Sequence, residues 1–192
     1  MGFLDALFGR ARPPQPKIEP LFALSTAWVA LQSKLGWVPA GRAGLVLKPA
    51  TGHDFSEAAR EVEGLLKLAG EEMGSRLEEK KDEYGYTWLL VQDKDWEDLV
   101  SLVHVAGQTL TEKGYGTQLL AAVFRMQREG EESPPLYLIF SYKRGKFYPF
   151  IPLGKDRERD NAEEMRLYSL LEKELPWEND LSRWYPLWDC PV

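Results

Sequence analysis

The sequence predicts an α+β fold: an antiparallel sheet of about five or six strands with helices packed mainly on one face. Three observations point there. Apolar residues recur at helical spacing in four separate stretches, and short aromatic or β-branched runs lie between them. A tight-turn dipeptide, Arg144-Gly145, joins two of those runs. Neighbouring strands joined by hairpins favour an antiparallel sheet over alternating β-α-β units. The expected order is α-β-α-β-β-α-β-β-β-α.

The first helix opens at Pro20, suited to a first helical position, and carries Leu21, Leu24, Trp28, Leu31 and Leu35 before Gly36 ends it. Residues 43–48 read as a short strand closed by Pro49. Asp54 and Glu57 have capping-box spacing, and Phe55, Ala58, Ala59, Val62, Leu65, Leu66 and Ala69 form an apolar face behind them. The charged stretch 71–83 reads as a solvated loop leading into an exposed edge strand, and 86–91 (YTWLLV) as a central strand. Asp95 caps a helix bearing Trp96, Leu99, Leu102, Val103, Ala106 and Leu110, which stops at Gly114. Residues 118–126 and 136–142 follow as buried strands. Gly145 supplies the positive φ of a tight turn, and Pro149 and Pro152 confine the outgoing strand to an edge. Asp160 and Glu163 repeat the capping spacing. Met165, Tyr168, Leu171 and Leu175 carry the last helix to Pro176, and an aromatic tail, 177–192, wraps the core.

Composition removes several functional classes. A net charge of -6 with no basic stripe argues against nucleic acid. One cysteine, Cys190, precludes an internal disulfide and fits a reducing, cytoplasmic setting. Two histidines, His53 and His104, are too few for most transition-metal centres, and nothing signals a metal or a cofactor. No apolar run reaches membrane-spanning length, and the N-terminus lacks the features of a secretory signal.

Residues 1–11 form an amphipathic segment, separated by a Pro-rich spacer, 12–19, from a single domain over 20–192. On a helix, Phe3, Leu4, Leu7 and Phe8 make one apolar stripe with Asp5 and Arg10 off it, a candidate membrane or partner contact. Burying those four side chains gains roughly 6–12 kcal/mol gross. Ordering ten residues of backbone costs on the order of 10 kcal/mol. The balance is near zero, and Arg10, Arg12 and Lys17 add only about 1 kcal/mol each at an anionic surface. Attachment to a membrane therefore needs a second contact, such as a protein already there.

No catalytic pattern emerges. Cys190 stands near the end of the sequence, His104 sits within an apolar helix face, and the acidic pairs are solvated runs. Gly114-Tyr115-Gly116 lacks the Lys-Ser or Lys-Thr of a phosphate loop and reads as a helix stop. The sequence is expected not to encode an enzyme. The hairpin around Tyr142, Lys143, Arg144, Lys146 and Tyr148 offers aromatics and three cations to an acidic partner; its bland alternative is a hairpin with core aromatics and wet cations. Arg183, Trp184 and Tyr185 are candidates for the same surface.

Several long segments together resemble one family. They are 1–10 (MGFLDALFGR), 21–24, 82–88 (DEYGYTW), 142–153 (YKRGKFYPFIPL), 159–161 and 180–185 (DLSRWY), and they are similar to the PspA-associated PspAB proteins nearly end to end. The resemblance implies an accessory role in a phage-shock-type envelope stress system, with a PspA-like coiled-coil protein as partner and peripheral contact at the inner face of the cytoplasmic membrane. It brings no catalytic residues. A different reading, a secretion-chaperone-like module cradling a peptide on its sheet, would be favoured by a large apolar groove or an isologous dimer. An uncharacterised enzyme ranks last.

Overall fold

The computed structural model describes residues 15–49, 60, 62, 64, 67, 70, 74–130, 132–154 and 157–192. The helix-strand order follows the amphipathic periodicities. A 3-10 turn, Glu19–Ala23, with Pro20 at its start, runs into α1 (Leu24–Leu35). Gly36 ends α1 in the left-handed conformation at φ 69°, its N–H returning to Gln32 O and Leu31 O. Strand β1 (Trp37–Leu47) follows directly. Arg60, Val62, Gly64, Lys67 and Gly70 are helical, with Val62 buried; Asp54, Glu57 and the rest of that apolar face lie outside the described residues.

The chain continues through β2 (Arg76–Lys81), β3 (Thr87–Gln92), α2 (Trp96–Glu112), β4 (Leu119–Arg128), β5 (Leu136–Ser141) and β6 (Lys146–Phe150). A two-stranded ribbon, β7 (Pro152–Leu153) with β8 (Glu158–Arg159), precedes α3 (Asn161–Leu170). The main sheet has six strands in the order β2-β3-β1-β4-β5-β6, every pair antiparallel.

Alternation along the strands makes two cores. Leu45, Leu47, Leu89, Phe124, Leu138 and Phe140 face α1 and α2, and their neighbours Val46, Trp88, Val123, Ile139 and Tyr148 face the other way. Helices occupy the first face. The second face is covered by Trp184, Val192 and their neighbours in the C-terminal tail. The tail also closes the β6 edge, where Phe147 N–H donates to Pro176 O at 2.9 Å and Glu178 N–H to Phe147 O at 2.8 Å. That backbone pairing shields the open side of β6 from other strands.

Besides the β7–β8 ribbon, which the expected order lacks, two elements differ from expectation. Strand β1 begins at Trp37 rather than residue 43, despite Pro39 and Gly41. Residues 37–39 pair only with β4, so Pro39 removes no hydrogen bond toward β3, and a register shift between Pro39 and Arg42 absorbs Gly41. Helix α3 stops at Leu170 instead of reaching Pro176; the chain turns at Leu171, whose carbonyl accepts the Glu174 and Leu175 N–H groups and the Trp177 indole N–H at 2.7 Å. Leu167, Leu171 and Leu175 are buried, whereas Met165, expected on the inner face, is exposed.

Candidate functional site

At one end of the sheet, on its tail-covered face, a partly open cleft of about 850 Å³ lies across the strands. Val46, Trp88, Ala121 and Tyr148 form its floor, and Tyr185, Pro186, Leu187 and Trp188 of the tail stand along it as a wall. Antiparallel pairing brings the β2–β3 and β5–β6 turns to this same end, at opposite sides of the sheet.

The β2–β3 side is built around Asp82. One carboxylate oxygen accepts the N–H of Tyr84 (3.0 Å) and Tyr86 (2.9 Å), and the other accepts the Trp88 indole N–H (3.0 Å). Gly85, at φ 81°, permits the turn. The Asp82 charge is thus spent on holding the turn and fixing the floor tryptophan. Glu83 and Asp189 add carboxylates on this side, together with the cation Arg157. Tyr84 is 69 % exposed, and a hydrogen bond with Glu83 and that carboxylate's charge hold its hydroxyl above the usual phenol range.

The β5–β6 side carries Lys143 and Arg144, while Lys48, just past the end of β1, stands nearer the middle of the cleft. Lys48 Nζ donates to Thr117 O at 2.9 Å, and Arg144 Nε lies 3.0 Å from Glu178 Oε2. Glu178 is held by the tail's pairing with Phe147 and also faces Arg183 at 3.9 Å. Arg144 therefore points along a fixed direction at the cleft rim, while the exposed Lys143 extends beside it.

Arg159 ties the wall to the sheet. Its guanidinium donates to Trp184 O (2.8 Å), Pro149 O (3.2 Å) and Glu164 Oε2 (2.9 Å), and stands over the Phe150 ring at 5.2 Å. Glu164 also accepts the Ile151 N–H at 2.8 Å; burial pushes its carboxyl above the usual glutamate range despite these donors. Trp188 packs edge-on against Phe150 with ring centroids 4.9 Å apart.

The residues singled out from sequence separate in space. Arg144, Lys143, Tyr148 and Tyr185 do line one surface. Lys146 is half-buried at the start of β6. Tyr142 is fully buried instead, against Phe140 and against Gly107, where a Cβ would come within 2.9 Å of the tyrosine hydroxyl. Burial drives that phenol far above its ordinary range, so Tyr142 is a core residue. Tyr148 is buried in the cleft floor, with its own hydroxyl raised by burial. Arg183 pairs with Asp180 at 3.0 Å, and Trp184 is buried with its indole on Glu178 O at 2.8 Å. Phe3, Leu4, Leu7 and Phe8 lie outside the described residues, as does His53. His104 stacks on Phe22 at 4.1 Å, and burial holds its imidazole below the usual histidine range.

Trp88, Glu83, Lys48, Trp188 and Glu178 were not distinguishable by motif. The available signal was Asp82 six residues before Trp88 across a Tyr-Gly-Tyr turn, a spacing that lets one carboxylate cap a turn and reach an indole. Among the described residues, no group of His, Cys, Asp and Glu is arranged to hold a metal ion, and no helix is long and apolar enough to cross a membrane.

Fold and cleft together define an α+β domain whose sheet carries a part-apolar, charge-rimmed recess on the face away from its helices. The chain belongs to the PspAB family, PspA associated protein B, whose profile matches residues 1–192. No curated protein matches the chain significantly.

Proposed function

We propose that this chain is a non-catalytic adaptor of a PspA-type membrane stress response, acting by protein–protein contact near the cytoplasmic membrane. The observation that carries this reading is the end-to-end family match, whose name ties its members to PspA. The sequence of residues 1–11 supports it, since an apolar stripe with a near-zero balance of burial against ordering needs a second contact to stay at a membrane. The partner is a PspA-like coiled-coil protein, and the membrane contact is peripheral, from the cytoplasmic side.

Liposome flotation tests the reading, comparing the full chain with one lacking residues 1–12, each with and without PspA. The adaptor reading expects weak flotation of the full chain alone, strong flotation with PspA, and reduced flotation of the truncated chain. Equal flotation of both chains in all arms would remove the membrane half, and no PspA-dependent gain would remove the partner half.

The cleft favours a second reading, a peptide-cradling module, because an apolar recess on a sheet face is a common setting for a bound segment. The two readings are compatible if the cradled segment belongs to the partner.

A further inference from the structure

The cleft has a polarity that its apolar floor alone does not require. Neighbouring strands lie about 4.8 Å apart, so the β2–β3 and β5–β6 turns, four spacings from each other, are separated by about 19 Å. One end of that span presents Glu83 and Asp189, with Arg157 as the opposing charge; the other presents Lys143 and the Glu178-paired Arg144, with Lys48 nearer the middle. Between them run Trp88, Tyr148 and the tail wall. A single anionic head with an acyl chain would use the basic end and leave carboxylates facing its tail. A rod that is apolar along one side and oppositely charged at its two ends uses all three parts.

We propose that the cleft binds one amphipathic α-helix of a partner protein, laid across the strands. At 1.5 Å rise per residue, 19 Å accommodates about 13 residues. The helix C-terminus, with its exposed carbonyls and acidic residues in the last turn, lies at Lys143 and Arg144; the N-terminus, with its unpaired N–H groups, lies at Glu83 and Asp189. Apolar residues at i, i+3, i+4 and i+7 face Trp88 and the tail wall. The chain's own leading segment fits less well. Pro16 lies at the basic end, where Lys17 N–H donates to Tyr142 O at 2.9 Å, and Arg10 and Arg12 precede it closely in sequence. Its sequence thus offers cations next to that anchor, where the basic end calls for acidic residues.

The inference rests on the adaptor reading for the kind of partner, and its test separates the two. The probe is a fluorescein-labelled 15-residue synthetic helix with a leucine stripe, neutral polar positions and three glutamates in its last turn, titrated with the full chain. Two control peptides have the stripe scrambled or the glutamates replaced by lysines. Tyr185, 55 % exposed, and Lys143 allow variants that leave the fold intact. Expected are saturable binding of the probe, at least tenfold weaker binding by Tyr185→Glu and by Lys143→Glu, and weak binding of both control peptides. Equal binding of the scrambled peptide, no binding of the probe, or variants that bind as well as the parent chain would each overturn the proposal. So would probe binding that appears only after residues 1–12 are deleted, since the cleft would then belong to the chain's own segment. A parallel pull-down with PspA tells the failures apart: PspA capture unaffected by either variant overturns the cleft proposal while the adaptor reading stands. Probe binding without PspA capture does the reverse.

Discussion

Cys190 illustrates how little a residue's type says without its surroundings. Burial pushes its thiol up to about 11, although the Val192 backbone and Arg125 pull the other way. Relative to an ordinary thiol at 9.0, that lowers the thiolate fraction near neutrality roughly a hundredfold. Iodoacetamide labelling at pH 7.5 is therefore expected to be clearly slower in the native chain than in urea, and comparable rates would disprove the raised thiol. His104 has the opposite electrostatic sign. Its folded value is depressed by burial, so the unfolded chain takes up the proton first. Stability is full above the ordinary histidine range and falls as pH drops through it. The urea midpoint should decline from pH 7.5 to 5.5 more in the parent chain than in His104→Gln, and equal declines would sink the assignment.

Arg159 and Glu164 form the costliest pair at this scale. Glu164 is 1 % exposed, so removing Arg159 leaves a buried carboxylate without its main partner. Arg159→Ala is expected to lose about 3–5 kcal/mol in urea unfolding at pH 7.5. Because the folded value of Glu164 is raised, the native state favours its neutral form, and the loss should shrink as pH falls toward the ordinary glutamate range. A pH-independent penalty would point to lost packing rather than lost charge. The spacing of Asp160 and Glu163 was legible in sequence as a helix start. Nothing local marked Glu164, one residue on, as the buried partner of a distant backbone.

Among the elements, helix starts and stops were the most legible because they are written within a few residues. Asp95 Oδ1 does accept Glu97 and Asp98 N–H, and Asp160 Oδ1 accepts Glu163 N–H. Glycines at left-handed positions separate two cases. At Gly36 an added Cβ would meet nothing nearer than 3.8 Å, so Gly36→Ala should cost only the conformational term, about 1–2 kcal/mol. At Gly41 (φ 68°) the Cβ would stand 2.7 Å from the Asp93 carbonyl oxygen, so Gly41→Ala should cost clearly more. Thermal melts of the two variants check the order, and a reversed order would mean the β1 irregularity yields easily. The same irregularity hides the start of β1 from its sequence pattern. Pro39 and Gly41 look like stops unless one knows that the strand has a single neighbour there.

For the molecule as a whole, the tail is what turns a one-faced sheet into a two-faced one. Trp177, Trp184 and Val192 are each buried, and burial of such side chains contributes roughly 1.5–3 kcal/mol apiece. Removing them also uncovers Ile139, Tyr148 and Phe150. The combined loss is comparable to a domain's whole stability, about 5–15 kcal/mol. A chain ending at Pro176 is therefore expected to lose its near-UV circular dichroism and cooperative melt. A sharp, native-like transition in that truncated chain would show that the tail is dispensable.

By itself the sequence determined the kind and order of the elements, the helix caps and the general sidedness of the sheet. Those follow from hydrogen bonds and apolar periodicities spanning only a few neighbours. The cleft was decided by tertiary structure alone. Its surface is assembled from Pro16, β1, the β2–β3 turn, β4, the β5–β6 hairpin and the tail. Only the pairing order of the strands brings those segments together. The same holds for Tyr142, which reads as a surface aromatic beside two cations. It becomes core because Gly107, on a helix more than thirty residues earlier, leaves room for its ring.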